Sequence, residues 1–130
     1  MDIGLAAAIQ RLPGKEEPLV GLYQDFLADC ELAQELGFSH VWASEHHGSE
    51  DDWKNSPLTL LAAAAAHTER IRLGTYVLLV SLHNPLRVAE EAATVDILSN
   101  GRLDLAIGAD PMAVDCETFG FDRKEAFART

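Results

Sequence analysis

Apolar runs of strand length alternate with longer stripes of helical period along the whole chain, and glycine or proline marks nearly every change-over. A chain patterned this way can bury its strands only as a parallel sheet crossed by helices, so the fold class is α/β. Residues 3 to 9 form a nearly continuous apolar run, suited to a strand covered on both faces. Pro13 and Gly14 mark a loop over 11 to 18, and then Leu19, Tyr23, Phe26, Leu27, Cys30, Ala33 and Leu36 make a helical stripe stopped by Gly37. His40 to Ser44 is the second strand, and 48 to 55 a polar loop. Ser56-Pro57 opens a second helix, with the serine expected to cap free amides and proline at the first helical position. Ile71 to Val80 is the third strand. Asn84-Pro85 repeats the start signal, Ser99-Asn100-Gly101 ends that helix, and Leu103 to Ile107 is the fourth strand. Beyond Gly108 the pattern fades into an acidic loop, and a short charged segment after Phe121 is where a fourth helix could begin.

Composition narrows the partners. The 130 residues suffice for one domain, and 21 acidic against 10 basic side chains give a net charge of -11 with no basic tract, which argues against nucleic acid. The longest apolar run, Leu60 to Ala66, is far short of the ~20 residues of a membrane span, and no signal peptide is evident, so a cytoplasmic protein is expected. Cys30 and Cys116 form no Cys-x-x-Cys pair, so neither a disulfide framework nor a structural zinc site is suggested, and Cys30 reads as helix packing.

The polar residues cluster after strands. Glu45-His46-His47 follows strand two, His83-Asn84 strand three, and Gly108-Ala109-Asp110 strand four, all at carboxyl ends, where parallel α/β folds gather their sites. A histidine there titrates near neutral pH and can exchange a proton with a reacting oxygen. Neighbouring residues of extended chain project oppositely, which turns His47 away from His46 and argues against a two-histidine metal site. Glu45 reads either as a partner orienting His46 or as a loop cap accepting from nearby amides. Trp42 and Tyr76 read as core or pocket wall, and Glu90 and Glu91 as solvated helix surface.

Four stretches, taken together, resemble the luciferase-like flavin-dependent monooxygenase family. They are Gly37-Phe38 to Val41-Trp42-Ala43-Ser44-Glu45-His46-His47, Ser56-Pro57 to Thr68-Glu69-Arg70-Ile71-Arg72-Leu73-Gly74-Thr75, His83-Asn84-Pro85-Leu86-Arg87-Val88-Ala89-Glu90-Glu91, and Asp96 to Ser99-Asn100-Gly101-Arg102. The resemblance implies the N-terminal half of a (β/α)8 TIM-type barrel, four parallel strands with alternating helices, where a complete barrel takes roughly 250 residues. The chain is thus expected to be a fragment, or a truncated homologue that pairs with a complementary half-barrel or with itself. The resemblance also implies reduced FMN or the deazaflavin F420 as cofactor, O2 and a small organic substrate, and a flavin reductase as partner. His46 resembles the family's acid–base group beside the flavin. Thr75, Tyr76 and Val77 match the flavin wall, Tyr76-Val77 at a non-proline cis peptide, and Gly108 matches the position of a reactive cysteine in some luciferases. Related sequences carry arginine then glycine after strand four to hold the flavin phosphate; Ala109 and Asp110 stand here instead, and a carboxylate repels a phosphate. Arg102 lies at the opposite end of its strand. No metal is implied.

Overall fold

The computed structural model describes residues 2–7, 9–12, 14, 18–48, 56–109 and 111–130. Strands β1 (Gly4–Ala7), β2 (His40–Ala43), β3 (Arg72–Thr75) and β5 (Leu103–Asp104) form one sheet in the order β1-β2-β3-β5, and every pair is parallel. Two further parallel pieces, β4 (Leu78–Leu79) and β6 (Ile107–Gly108), continue the third and fourth strands after a break. Helices α1 (Leu19–Glu35), α2 (Pro57–His67) and α3 (Pro85–Leu98) are the crossovers, with a 3-10 turn at Val80–Leu82 before α3, and a short α4 (Ala113–Thr118) and a second 3-10 turn at Arg123–Arg129 come after β6. No helix among the described residues is long and apolar enough to cross a membrane.

The expected order of strands and helices is therefore present, with corrected boundaries. The third strand does not run unbroken to Val80, because Thr75 ties off the ladder with its side chain. Its hydroxyl donates to the Ala106 carbonyl at 2.7 Å and accepts from the Ala106 amide at 2.9 Å, inside the gap between β5 and β6. The fourth helix lies earlier than expected, at 113–118, and the charged segment after Phe121 is a 3-10 turn. Asn84 caps α3 as expected, accepting from the Leu86 and Arg87 amides. Ser56 does not cap α2 with its side chain; its hydroxyl meets Thr59 Oγ1 instead. Most of the loops expected at 11–18 and 48–55 lies outside the described residues.

One face of the sheet is covered. Val41, Ala43 and Leu73 point into a core shared with Phe26, Cys30 and Ala33 of α1 and with Leu58, Leu61 and Ala64 of α2. Cys30 is fully buried, and burial, reinforced by Asp29 and Glu31, pushes its thiol up to about 12, so it packs rather than reacts. The ends of the α1 stripe, Leu19 and Leu36, are exposed. Arg102, buried at the amino end of β5, donates to the carbonyls of Ala65, Thr68, Ile71 and Ser99, and so closes the carboxyl end of α2.

The other face carries residues of the opposite parity, and there the sequence makes room for one aromatic ring. Trp42 lies across its neighbours on both sides: a Cβ added at Gly4 would stand 2.7 Å from the indole nitrogen, and one at Gly74 would collide with Cε3 and Cζ3 of the ring. His40 stacks on the same indole at 5.2 Å between centroids, and its Nε2 approaches Asp104, which Arg72 holds by two short bonds of 2.6 and 2.7 Å.

Two substitutions read this packing. Gly74→Ala should destabilise the chain by about 1–3 kcal/mol through overpacking, whereas Gly21→Ala, on α1 with open space around the new methyl, should stabilise by up to about 1 kcal/mol. Urea-unfolding midpoints moving in opposite directions are the expected result.

Candidate functional site

Because every strand is parallel, the segments leaving β2, β4 and β6 emerge at one end of the sheet. A buried carboxylate joins two of them. Glu45, two residues past β2 and 2% exposed, accepts the Leu79 amide on Oε2 at 2.6 Å and takes His83 Nε2 at 2.6 Å and His47 Nε2 at 2.9 Å on Oε1. An ionised carboxylate only accepts, so both imidazoles donate through Nε2. Burial pushes the Glu45 carboxyl up, but the His47, His83 and Leu79 hydrogen bonds together outweigh it and hold it below its ordinary value. The hydrogen bond to Glu45 raises His83 against the opposing effect of its own burial.

The third segment is joined by a second acid. Asp115 of α4 is fully buried and accepts the His47 amide on one oxygen and the Met112 amide on the other, each at 2.7 Å. Phe119 closes over the assembly with its ring edge-on to His47 at 4.9 Å and to His83 at 6.4 Å. His46, the expected proton carrier, thus sits between two anchored residues, half-buried and with Nδ1 shut off from solvent.

Glu45, His47 and His83 are ligand types that bind transition metals, and their donor atoms lie within 4.8 Å of one another. Contacts of 2.6 and 2.9 Å are direct hydrogen bonds, however. A zinc ion at about 2.0–2.2 Å from each donor would have to part these atoms first.

The remaining expected positions line the break in strands three and four. The Tyr76-Val77 peptide is cis, as the resemblance implies. Tyr76 is 66% exposed, so it is pocket wall rather than core. With Ala6, Trp42 and Ala106 it borders a shallow apolar depression of about 310 Å3 on the open face. Thr75 is fully buried with its hydroxyl engaged by Ala106, which leaves its backbone alone to face a ligand. Gly108 has a packing reason to be glycine, since a Cβ there would stand 2.6 Å from Val77 Cγ2. Asp110 lies outside the described residues. A larger concavity of about 430 Å3 lies in the groove between α2 and α3, flanked by the exposed Arg87–Glu90 and Arg87–Glu91 pairs.

The model of the luciferase-like monooxygenases matches residues 1–130. The chain belongs to that family. A 4-hydroxyprotoasukamycin monooxygenase of Streptomyces nodosus subsp. asukaensis is 36% identical over 118 residues, 91% of this chain and 32% of the relative. The oxygenase component of a flavin-dependent trigonelline monooxygenase of Acinetobacter baylyi is 33% identical over 74% of the chain and 27% of its own length. Among solved structures, a monooxygenase of Streptomyces bottropensis superposes with a TM-score of 0.87 at 34% identity, over 99% of this chain and 39% of the other. The oxygenating constituent of 3,6-diketocamphane monooxygenase from Pseudomonas putida, in complex with FMN, gives 0.88 at 22% identity, over 99% and 36%. An F420-dependent secondary alcohol dehydrogenase gives 0.67 at 24%, over 83% and 31%. These last two share the fold, the amino-terminal part of a TIM-type barrel. The chain spans about a third of the length of the curated relatives it matches.

In this luciferase-like chain the carboxylate–histidine cluster sets a stability window. Glu45, with a depressed pKa, contributes stability present above its unfolded value and lost as pH falls through its folded one. His83, with a raised pKa, contributes stability fully present below about 6.5 and lost as pH rises through its folded value. Denaturant midpoints measured across pH 3 to 9 should show both losses in the parent protein, and His83→Gln should remove the one on the alkaline side.

Proposed function

We propose that this chain forms the proton-handling and ring-facing part of a flavin-dependent monooxygenase that uses O2 on a small organic substrate. One observation carries the reading: three carboxyl-end segments converge on Glu45, His47 and Asp115 around His46, at the same sheet end as the exposed Tyr76-Val77 peptide.

The residues fit a flavin in part. The flat apolar floor of Ala6, Trp42, Tyr76 and Ala106 suits an aromatic ring system, and the backbone of Thr75, Tyr76 and Val77 with Gly108 would border it. A phosphate has no guanidinium in the segment after β6, and Arg102 is committed to the far end of its strand. When bound, the reduced flavin would supply the electrons for oxygen chemistry. His46 would hold or return a proton at its imidazole. The apolar floor excludes water from one side of the ring.

FMN is the first cofactor to test and F420 the second, which the F420-dependent neighbour supports at the level of fold. A reductase supplying reduced flavin, a location in the cytoplasm, and association with a second copy or a complementary half-barrel chain complete the reading.

In the full-length protein, His46→Ala should lower turnover by about 10²–10⁴-fold and leave flavin affinity within a few-fold of the parent. Oxygen uptake and fluorescence titration with FMN and with F420 check both halves; equal turnover in mutant and parent would remove His46 from the mechanism.

A further inference from the structure

The segment that presents His46 is held by two buried acids, Glu45 and Asp115. Upstream, the Glu45 side chain is drawn to the Leu79 amide of β4 and to His83 before α3. Downstream, the His47 amide is held by Asp115 of α4, and the His47 ring returns to Glu45. Gly48, with φ +70, follows at once and is pressed against α4, where a Cβ would approach Val114 Cγ2 to 3.1 Å. Both neighbours of His46 are thus fixed by charge-assisted bonds to different elements, and little backbone freedom is left between them.

We propose that Glu45, His83 and Asp115 are positioning residues for His46, acting as a two-point clamp that the protonated His83 helps to close. The proposal rests on the reading of His46 as the proton carrier. Its value to such a carrier is that a proton transfer needs heavy atoms within about 3 Å, and a displacement of 1 Å can cost about 100-fold in rate.

The clamp is proton-linked on its upstream arm. His83 is faced by Glu45 from the segment after β2, by Glu91 from α3 and by the ring edge of Phe119 from α4. Glu91 is itself paired with Arg87 at 2.9 Å. Glu45 is faced by His47, His83 and the Leu79 amide. Loss of the His83 proton removes the charge from the 2.6 Å contact and weakens that arm, while the Asp115 arm, built on backbone amides, stays.

The test is nitrogen-15 NMR of the imidazoles in the chain itself, titrated from pH 5 to 9, for the parent, Glu45→Gln, His83→Gln and Asp115→Asn. In the parent, His83 should titrate above about 6.5 and the His46 ring signal should shift at the same midpoint. Glu45→Gln should bring the His83 midpoint down toward 6.5 and broaden or split the His46 signals, with the amide signals of Val41 and Leu73 unmoved. Asp115→Asn should disturb His46 and leave the His83 midpoint in place. Should Glu45→Gln unfold the chain, His83→Gln carries the same readout, since it keeps a donor toward Glu45 and should abolish the His46 shift at the His83 midpoint.

His46 signals indifferent to the Glu45 or His83 and the Asp115 substitutions, in folded proteins, would overturn the clamp. FMN titrations on the same samples separate the two claims. Coupled His46 signals without FMN binding remove the functional reading and keep the clamp, and FMN binding with uncoupled signals does the reverse.

Discussion

The carboxylate of Glu45 is a charge taken out of water at the mouth of the sheet, and its surroundings are arranged to satisfy it. A buried ion left without partners costs several kcal/mol, so the chain must bring donors to it. They come from two other places in the sequence, the Leu79 amide and His83 Nε2, together with His47 from its own segment. The Leu79 and His83 donors arrive only if β2 and β3, which leads into β4, lie in the parallel register observed. The carboxylate is thus a check on the fold as much as a part of the site: a shifted strand would strip it of the Leu79 and His83 donors.

The same logic explains why strands three and four are broken. A continuous ladder from Arg72 to Val80 would carry Leu79 and His83 on past Glu45. The bracket made by Thr75 on both polar groups of Ala106 interrupts both strands at the same level. Leu78 donates to that same Ala106 carbonyl at 2.9 Å, which restarts the pairing in the short β4–β6 pair. The gap leaves Tyr76 exposed on the open face, where a continuous core would have been laid down.

Much of the fold could be read from residue pattern, because its signals are local. Gly37 and Gly101, at φ +82 and +78, end their helices as glycine does, and Asn84-Pro85 starts one. What could not be read is non-local. By the alternation rule Glu45 and His47 share a side, yet their union with His83 needs a contact across 38 residues. Asp115 was missed altogether. Its role depends on a hydrogen bond to His47 across 68 residues, and α4 is one and a half turns long, too short to show a period. The break after Thr75 was hidden as well, since Tyr76 to Val80 is as apolar as a strand. The only local hint was the small, hydroxyl-bearing Gly74-Thr75 pair before it.

Trp42 shows where pattern and structure inform each other. As a large aromatic it reads as core or pocket wall, and it lies over Gly4 and Gly74 of the two flanking strands and borders the apolar depression. Glycine at 4 and 74 costs strand stability, on the order of 0.5–1 kcal/mol each, and a sheet that needed only to pack would not retain both. The cost is offset if the wide, flat floor they permit is itself wanted. Ala6 and Ala106 extend that floor with small side chains, so the open face presents a plane rather than a set of knobs. A plane of that kind receives a flat ligand or an opposing layer of side chains, and the half-exposed ring of Trp42 is the part of this chain best placed to meet either.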